Sequence, residues 1–501
     1  MLFNSYVFVL VFLPAALGGF FLAARIGPVA AGLWLVGASL AFYAWWNPAF
    51  LPLLLTSLLL NFAAARTITA AVRHKRLQAW LLACAITANI AALVYFKYLA
   101  WVLSAFGITV TSPTLPLGIS FFTFTQIGYL IDCRNGVARE RSALSYALFV
   151  TFFPHLIAGP ILHNREIMPQ FAAASTYRVS ADNLAAGLSI FLIGLLKKCL
   201  LADPLAAVVG AGFGHPETLA LLGAWQTALS YSLQLYFDFS GYSDMAIGLA
   251  RMFNIRFPAN FNSPYKAVSV IEYWQRWHMT LTRYLMLYLY NPIALRMTRW
   301  MVAGRPRGQR NMQATPIGFL VMVLLPIWVT ITLAGIWHGS GMTFLVFGLL
   351  HAVYLSVNHA WRIFRPRQAR LPQVIGIALT YGCVLVGSVV FRAPSLAAAG
   401  QVLTGMLGLH GVSLHAGDAK AVAVALLRLG QLAALYVIVW GAPNTQQIMR
   451  KCGPTLEAVR DGPLPWLTWQ PDITWAAAVG CAAALALLSI GGTGEFLYFQ
   501  F

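Results

Sequence analysis

The chain has 501 residues, of which 59% are hydrophobic and 9% are charged. Soluble domains average about 25% charged residues, so this composition excludes a soluble enzyme, a disordered protein and a nucleic-acid-binding protein. The net charge of +19 comes from 33 Lys and Arg against 14 Asp and Glu. These cations cluster in short loops between apolar runs, as in the cytoplasmic loops of membrane proteins.

Thirteen apolar runs follow one another along the sequence and predict membrane helices. The fifth run is rich in Gly, Ser and Thr, which predicts a broken or re-entrant helix. No repeat or linker interrupts the series, so we expect one integral membrane domain over residues 1–501. The runs are Tyr6–Ala24, Ala30–Trp46, Phe50–Ala65, Leu77–Tyr98, Pro116–Ile131, Leu144–Leu162, Leu184–Leu201, Leu219–Phe237, Ile317–Ala334, Phe344–Val357, Ile375–Phe391, Val422–Trp440 and Ile473–Ile490.

The basic loops set the expected orientation, because Lys and Arg accumulate on the cytoplasmic side. Counting back three spans from the first of these loops places Met1 outside. The six cysteines include no CxxC pair, and several lie in apolar runs, so we interpret them as buried small hydrophobic residues. The basic loops are Arg66–Arg76, Arg134–Arg141, Arg296–Arg310 and Arg362–Arg370.

His338 is the catalytic candidate that the residues themselves suggest. It follows an apolar run and opens a Gly-rich break, 337–341. A buried imidazole beside unwound backbone can act as a general base near neutral pH. A structural histidine at a helix end explains the pattern equally well. His351, in the next apolar run, could face the same cavity. No clustered ligands predict a metal site.

A polar and aromatic stretch, 235–278, contains the notable acidic residues Asp238, Asp244 and Glu272. Ionisable groups near membrane depth often mark function. The alternative, which we favour for the two aspartates, is structural. In it they pair with arginines such as Arg251 and Arg276 and stabilise a broken helix.

Short motifs occur in a fixed order along most of the chain. In this order they resemble the membrane-bound O-acyltransferase (MBOAT) family, specifically its bacterial alginate O-acetyltransferase-like branch. The motifs are Phe3–Phe8, Phe12–Pro14, Tyr95–Tyr98, Pro116–Phe124, Phe153–His155, Ala158–Ile161, Asp238–Asp244, Trp274–His278, Trp337–Gly339 and the aromatic tail Phe496–Phe501.

The resemblance implies an all-α polytopic membrane protein, a ring of roughly 11–13 transmembrane or re-entrant helices around a central tunnel. It also implies that His338 and His278 are the catalytic pair. We expect His338 to be the general base and His278, with Asn262 or backbone N–H groups, to polarise the acyl carbonyl. The residues expected to line the substrate tunnel are Asp238, Ser240, Tyr242, Asn262, Trp274, Arg276 and Trp337.

The reaction implied by the resemblance is transfer of an acyl group, most often acetyl, from a cytoplasmic thioester such as acetyl-CoA toward an extracellular polysaccharide. The Arg-rich loops could attract the donor electrostatically. We expect a bacterial inner-membrane protein in contact with membrane lipid. A periplasmic acetyltransferase partner of SGNH-hydrolase type is also expected. No bound cofactor, metal or nucleic acid is predicted.

One departure from the branch concerns Met286 and Leu287, which stand where other members carry an Arg-Asp pair. The segment Pro292–Leu295 likewise replaces a PLGG-like turn. These differences predict a different partner or acceptor surface, which argues against alginate as the acceptor.

Three other functions stay open. Members of the same family transfer D-alanyl groups or acylate lipids, and a membrane transporter would share the composition. Transporters often contain inverted repeats and paired broken helices. The sequence shows no repeat, which favours the acyltransferase.

Overall fold

The structure, a computed structural model, describes residues 1–138, 142–303, 312–365, 371–412, 419–491 and 497, and all regular structure in these ranges is helical. Within them, 7 helical segments are long and apolar enough to cross a membrane. The predicted class, an all-α polytopic membrane protein, is confirmed. The long segments are Pro48–Arg73, Lys75–Ser104, Ala181–Gly214, Pro316–His338, Met342–Phe364, Gln373–Arg392 and Val422–Gly441; shorter apolar helices are Phe8–Ala24, Pro28–Ala44, Leu396–Met406 and Ile473–Ser489.

The described residues form two compact units that interleave along the sequence. Unit 1 contains the described parts of 1–200, 239–259 and 445–500, and unit 2 those of 201–238 and 260–444. A single domain over the whole chain stays a prediction. The longer α-helices of unit 1 are Leu13–Ala24, Pro28–Ala44, Leu51–Ala70, Lys75–Leu93, Ile119–Arg134, Ala143–Thr151, Asn164–Ala172, Ala181–Leu196 and Ile473–Ser489; those of unit 2 are Ala206–Gly214, Met279–Leu285, Asn291–Val302, Leu325–His338, Met342–Phe364, Gln373–Arg392, Leu396–Met406 and Ala419–Gly441.

Two glycine pairs bring the backbones of two helices in unit 1 into contact. A Cβ atom on Gly194 would lie 2.5 Å from the Gly241 carbonyl oxygen, and one on Gly241 would lie 2.7 Å from the Gly194 oxygen. Seven residues away on each helix, Gly187 and Gly248 repeat the arrangement, with distances of 2.7 and 2.5 Å. Small residues permit this close approach, which is a common way of packing helices in membranes.

The predicted run Leu144–Leu162 is not one helix. The helix Ala143–Thr151 ends at Phe152, a single turn follows at Phe153–Leu156, and irregular backbone continues to His163. All residues from 146 to 164 are buried. Irregular backbone in a membrane protein needs such shielding by protein. Conversely, the fifth run, expected to be broken or re-entrant, contains a continuous helix, Ile119–Arg134, which starts after Gly118 in the left-handed conformation. A break is therefore wrong within that helix, and a re-entrant helix stays a prediction.

The predicted run Leu219–Phe237 is part of a longer helix, Leu221–Met252, which contributes to both units. It continues without interruption through the polar stretch that we expected to break it. Apolar burial alone therefore does not define its length. Gly241 and Gly248 lie where a Cβ atom would clash with a neighbouring helix, and the short side chains of Ser240 and Ser243 are buried.

In unit 2, three successive helices form an antiparallel arrangement. The helix Leu325–His338 ends at a three-residue link, 339–341, and the helix Met342–Phe364 returns beside it. A Cβ atom on Gly335 would lie 2.5 Å from the Phe344 carbonyl oxygen, so the two helices approach closely. The third helix, Gln373–Arg392, brings Phe391 against Phe347, with ring centroids 5.0 Å apart. One end of all three helices thus surrounds His338.

Several predictions concern residues outside the described ranges, or need correction. The described residues do not include 139–141, 304–310 and 366–370 of the basic loops, nor most of the aromatic tail. Of the six cysteines, Cys133 and Cys199 are buried, whereas Cys84 and Cys481 are exposed. The interpretation of the cysteines as buried residues is therefore confirmed for Cys133 and Cys199 and wrong for Cys84 and Cys481, while Cys383 and Cys452 are half-buried. Membrane-spanning helices also expose small apolar residues on their outer surface.

Candidate functional site

A backbone turn in unit 2 places His278 in the protein interior. His278 adopts the left-handed conformation, with φ 43° and ψ 52°, directly before the helix Met279–Leu285. The Met279 N–H donates to the Asn260 carbonyl at 2.9 Å, and the Asn262 N–H donates to the Arg276 carbonyl at 2.9 Å. These bonds join the segment 260–262 to the end of the motif Trp274–His278. A left-handed non-glycine residue costs about 1–3 kcal/mol, and such strain clusters at active sites.

The side chain of Asn260 fixes the orientation of the His278 ring. Its Oδ1 atom lies 3.0 Å from His278 Nδ1. The same oxygen accepts from the Thr280 backbone N–H at 3.3 Å and from the Thr280 hydroxyl at 2.8 Å. A backbone N–H can only donate, so the Asn260 atom at this position is the amide oxygen. His278 must then carry its proton on Nδ1, which makes Nε2 the hydrogen-bond acceptor.

His278 is neutral as well as oriented. Its side chain lies outside the candidate membrane spans and is 1% exposed. Burial lowers the pKa of His278 from its ordinary value of 6.5 to about 3. Burial disfavours the charged imidazolium. The ring is therefore a neutral imidazole throughout the physiological pH range.

His338 occupies the end of the helix Leu325–His338, as the sequence predicts. It is 9% exposed and more accessible than His278. Its ring lies among aromatic side chains, with centroids 5.1 Å from Trp337, 6.2 Å from Phe347 and 5.2 Å from Phe391. The following Gly339 has extended backbone, and a Cβ atom there would lie 2.2 Å from the Phe344 ring. The break after His338 is thus a packed turn.

Trp337 links the two predicted catalytic histidines. Its ring centroid is 6.4 Å from that of His278 and 5.1 Å from that of His338. All three residues are in unit 2. Sequence positions 278 and 338 are separated by several helices, so only the fold brings them together. The histidine pair predicted from the motifs therefore shares one neighbour, a buried tryptophan.

A third histidine, His351, lies near this pair, and His278, His338 and His351 form a histidine cluster. The Trp274 indole N–H donates to His351 Nδ1 at 3.2 Å, so His351 carries its proton on Nε2. The His351 ring is 4.5 Å from Phe347, which also contacts His338. Gly387 is required beside it, because a Cβ atom there would lie 2.7 Å from His351 Nε2. This geometry agrees with our expectation that His351 faces the same region.

Two other predicted site residues, Arg276 and Asn262, form contacts with side chains other than the three histidines. Arg276 pairs with Glu272 at 2.6 Å. Asn262 is exposed, and its Oδ1 accepts from the Asn444 side chain at 3.1 Å. The expectation that Asn262 helps His278 to polarise the acyl carbonyl stays a prediction; the side chain that contacts His278 is that of Asn260. Residues 260 and 261 are buried and residue 262 is exposed, and the sequence alone does not show which asparagine lies inside.

The two buried aspartates of the Leu221–Met252 helix lie in different units. Asp238 is buried in unit 2, whereas Asp244 is buried in unit 1. Asp244 Oδ2 accepts from Lys197 Nζ and from the Thr445 hydroxyl, both at 2.6 Å, and Oδ1 accepts from Gln446 Nε2 at 2.9 Å. Both of its oxygens are therefore engaged in structure.

The arginines expected to pair with these aspartates have other partners. Arg251 donates to the Cys452 carbonyl at 3.0 Å, and Arg276 pairs with Glu272. Ser240 and Tyr242 are buried in unit 1, where the Tyr242 ring stacks on Phe3 at 4.8 Å. Within the described residues no group of three His, Cys, Asp or Glu side chains could hold a metal ion.

The helices and the buried histidine cluster define a polytopic membrane protein with an internal polar site. The family described as MBOAT, membrane-bound O-acyltransferase family, matches residues 134–302, which include His278. The chain is 40% identical over 481 residues to a peptidoglycan O-acetyltransferase of Helicobacter pylori, covering 89% of this chain and 86% of the relative. It is 34% identical over 524 residues to a probable alginate O-acetylase of Pseudomonas putida, covering 100% of both.

A more distant similarity is to a teichoic acid D-alanyltransferase of Bacillus subtilis, 28% identical over 281 residues, which cover 55% of this chain and 68% of the relative. The matches to the Helicobacter pylori and Pseudomonas putida relatives are long and similar enough to assign the chain to a family. The chain belongs to the membrane-bound O-acyltransferase family, in its alginate O-acetylase-like branch. It is an O-acyltransferase enzyme, as the sequence motifs predict.

Proposed function

We propose that this protein transfers an acetyl group from a cytoplasmic thioester, such as acetyl-CoA, toward a polysaccharide outside the bacterial inner membrane. The names of the relatives support this, since they describe O-acetylation of peptidoglycan and of alginate. The structural observation that best supports this proposal is that His278 and His338 both contact Trp337 inside one helical unit. Two buried imidazoles so arranged suit proton transfer during acyl transfer.

Peptidoglycan is our proposed acceptor. The relative named for peptidoglycan is 40% identical to this chain, whereas the one of Pseudomonas putida named for alginate is 34% identical. The Met286-Leu287 departure from the branch points in the same direction. Both side chains are exposed on the π-helical turn Met286–Tyr290, so the change alters an outer surface rather than the histidine cluster.

In the proposed reaction, a ring nitrogen of His338 takes the proton of the acceptor hydroxyl. The hydroxyl oxygen bonds to the acyl carbon, the carbon–sulfur bond breaks, and the imidazolium returns the proton to the departing thiolate. His338 is assigned this role because it is the more accessible histidine. His278 accepts through Nε2, so in this proposal the hydrogen bond that polarises the acyl carbonyl comes from another donor, such as a backbone N–H group or Asn262.

The proposed orientation places the N-terminus outside and the basic loops in the cytoplasm. Arg296 and Arg299 on the helix Asn291–Val302, and Arg362 and Arg365 near the end of Met342–Phe364, are described members of these loops. Their positive charge would attract a phosphate-bearing donor. We further propose contact with membrane lipid and a periplasmic SGNH-hydrolase-type partner that receives the acyl group.

The test is acetyl-CoA cleavage by the purified protein in lipid, with labelled acetyl followed into peptidoglycan in membranes that also contain the periplasmic partner. His338→Ala should lower the rate by about 10²–10⁴, the usual contribution of a general base. His359→Ala on the next helix is the control and should retain wild-type turnover. An intact thioester with wild-type protein would favour a transporter. Cleavage of a D-alanyl thioester alone would favour D-alanyl transfer, and label in alginate alone would change the acceptor.

A further inference from the structure

The contacts of Asn260 have a chemical consequence for His278 that the family motifs do not assign. Both side chains are fully enclosed in unit 2. Asn260 supplies two groups to the turn: its carbonyl accepts from the Met279 N–H at 2.9 Å, and its side-chain Oδ1 lies 3.0 Å from His278 Nδ1. One residue therefore holds both the backbone and the ring of His278.

We propose that Asn260 is a positioning residue for the acyltransferase, which keeps His278 in the tautomer whose Nε2 accepts a hydrogen bond. The inference rests on the proposed function and deepens it. Thr280 supplies the assignment, because its backbone N–H and its hydroxyl both point at Asn260 Oδ1. If the amide were rotated, its NH₂ group would face the Thr280 N–H, and two donors would oppose each other.

This arrangement determines what His278 can do. A neutral imidazole with a proton on Nδ1 can receive a proton or a hydrogen bond at Nε2 but cannot donate one there. His351 is held in the opposite tautomer, because Trp274 donates to its Nδ1. The cluster thus contains one histidine that presents a lone pair at Nε2 and another that presents an N–H. Asn260 sets the tautomer of His278, and Trp274 sets that of His351.

The amide, rather than a carboxylate, also matters. A carboxylate at position 260 would favour the positively charged imidazolium, because an opposite charge within about 4–6 Å raises the pKa of the histidine by about 1–3. The neutral amide orients the ring without that effect. Burial then keeps the pKa of His278 near 3, well below the working pH. Asn260 therefore gives orientation while His278 stays neutral.

The test compares the pH dependence of acetyl-CoA cleavage for wild type, Asn260→Asp and Asn260→Ala. Asn260→Asp preserves the acceptor for all three donors, so we expect a folded protein. The pH at which His278 becomes protonated should rise by about 1–3 units in this variant, and turnover should fall where it does, because the protonated ring cannot accept a hydrogen bond. Asn260→Ala should lower kcat by about tenfold or more at roughly constant KM for acetyl-CoA, because the His278 ring loses the contact that holds it in the accepting tautomer.

Asn291→Asp is the matched control, because Asn291 is exposed and the substitution adds the same charge. It should leave the pH profile unchanged. A purely structural role for Asn260 predicts less folded protein but an unshifted profile for the folded fraction. That result, or a wild-type kcat for Asn260→Ala, would overturn the proposal. Absence of thioester cleavage by the wild-type protein would instead contradict the proposed function.

A measurement on the wild-type protein covers the case in which the variants do not fold. Nitrogen NMR of histidine-labelled protein in lipid bilayers distinguishes the two neutral tautomers. The His278 signal can be assigned by its loss in His278→Ala or, if that variant is unstable, through its coupling to the labelled neighbour Met279. A proton on Nδ1 is expected. A proton on Nε2 would refute the assignment of Asn260.

Discussion

Substitution of Asp244 should destabilise the protein without removing its chemistry. Asp244 Oδ2 accepts from Lys197 Nζ and the Thr445 hydroxyl, each at 2.6 Å, and Oδ1 accepts from Gln446 Nε2 at 2.9 Å. The carboxylate side chain is 4% exposed and the Lys197 side chain 15%. Asp244→Asn keeps the shape but removes the charge. It leaves Lys197 without a counter-ion and turns an amide donor toward other donors.

The expected loss in the free energy of unfolding follows from these contacts. Removing one member of a buried ion pair costs roughly 3–5 kcal/mol, and the partial exposure of Lys197 places this case near the lower end. Thr445→Val removes one hydrogen bond to a charged group, which costs about 1.5–3 kcal/mol. Lys197→Met alone leaves the carboxylate with two neutral donors and should also destabilise. Lys197→Met with Asp244→Asn removes both charges and should cost less than the two single changes added together.

The assay is the free energy of unfolding from denaturant titration in mixed micelles, with acetyl-CoA cleavage measured per folded molecule. Asp244→Asn should unfold at lower denaturant, while the folded fraction keeps turnover close to wild type. Additive free energies in the double-substitution cycle would contradict direct coupling of Lys197 and Asp244. Wild-type stability with abolished turnover would show that Asp244 acts in the reaction instead.

Other expected outcomes follow from the packing and the surface. Gly194→Val should lower the yield of folded protein, measured by fluorescence-detected size exclusion, because its Cβ would lie 2.5 Å from the Gly241 oxygen; wild-type yield would contradict the close helix contact. Met286→Arg combined with Leu287→Asp should weaken co-purification of the proposed SGNH-type partner while acetyl-CoA cleavage persists, and unchanged co-purification would exclude an interface there. A cysteine introduced at Arg299 should resist an impermeant thiol reagent applied to intact cells, whereas labelling from outside would reverse the proposed orientation.

The histidine pair shows how far the sequence leads at the site. The Gly-rich break after an apolar run identified His338, and the structure indeed ends the helix Leu325–His338 there. Motif order added His278. The shared neighbour Trp337 could be named from sequence, but its contact with both rings could not, because contacts between distant segments depend on the tertiary fold. For His351, the only sequence signal of a place in the site was its position in the next apolar run.

Helix ends were less predictable in the polar regions. Hydrophobicity counts suggested an end at Phe237, yet the helix continues to Met252 because Gly241 and Gly248 pack against another backbone. The same counts joined Leu144 to Leu162, although the chain leaves the helix after Thr151. In both places burial by neighbouring segments decides whether a polar or irregular backbone is tolerated.

The sequence by itself determined that this is a helical membrane protein, because low charge and long apolar runs have no other stable solution in water or lipid. Its motif order determined the family and pointed to two histidines. Only the tertiary structure decided that Asn260 holds His278 and that Asp244 binds Lys197. It also decided that His278 and His351 carry their protons on different ring nitrogens. These partners lie far apart in the sequence and meet only in the folded protein, so a local sequence pattern cannot predict their contacts.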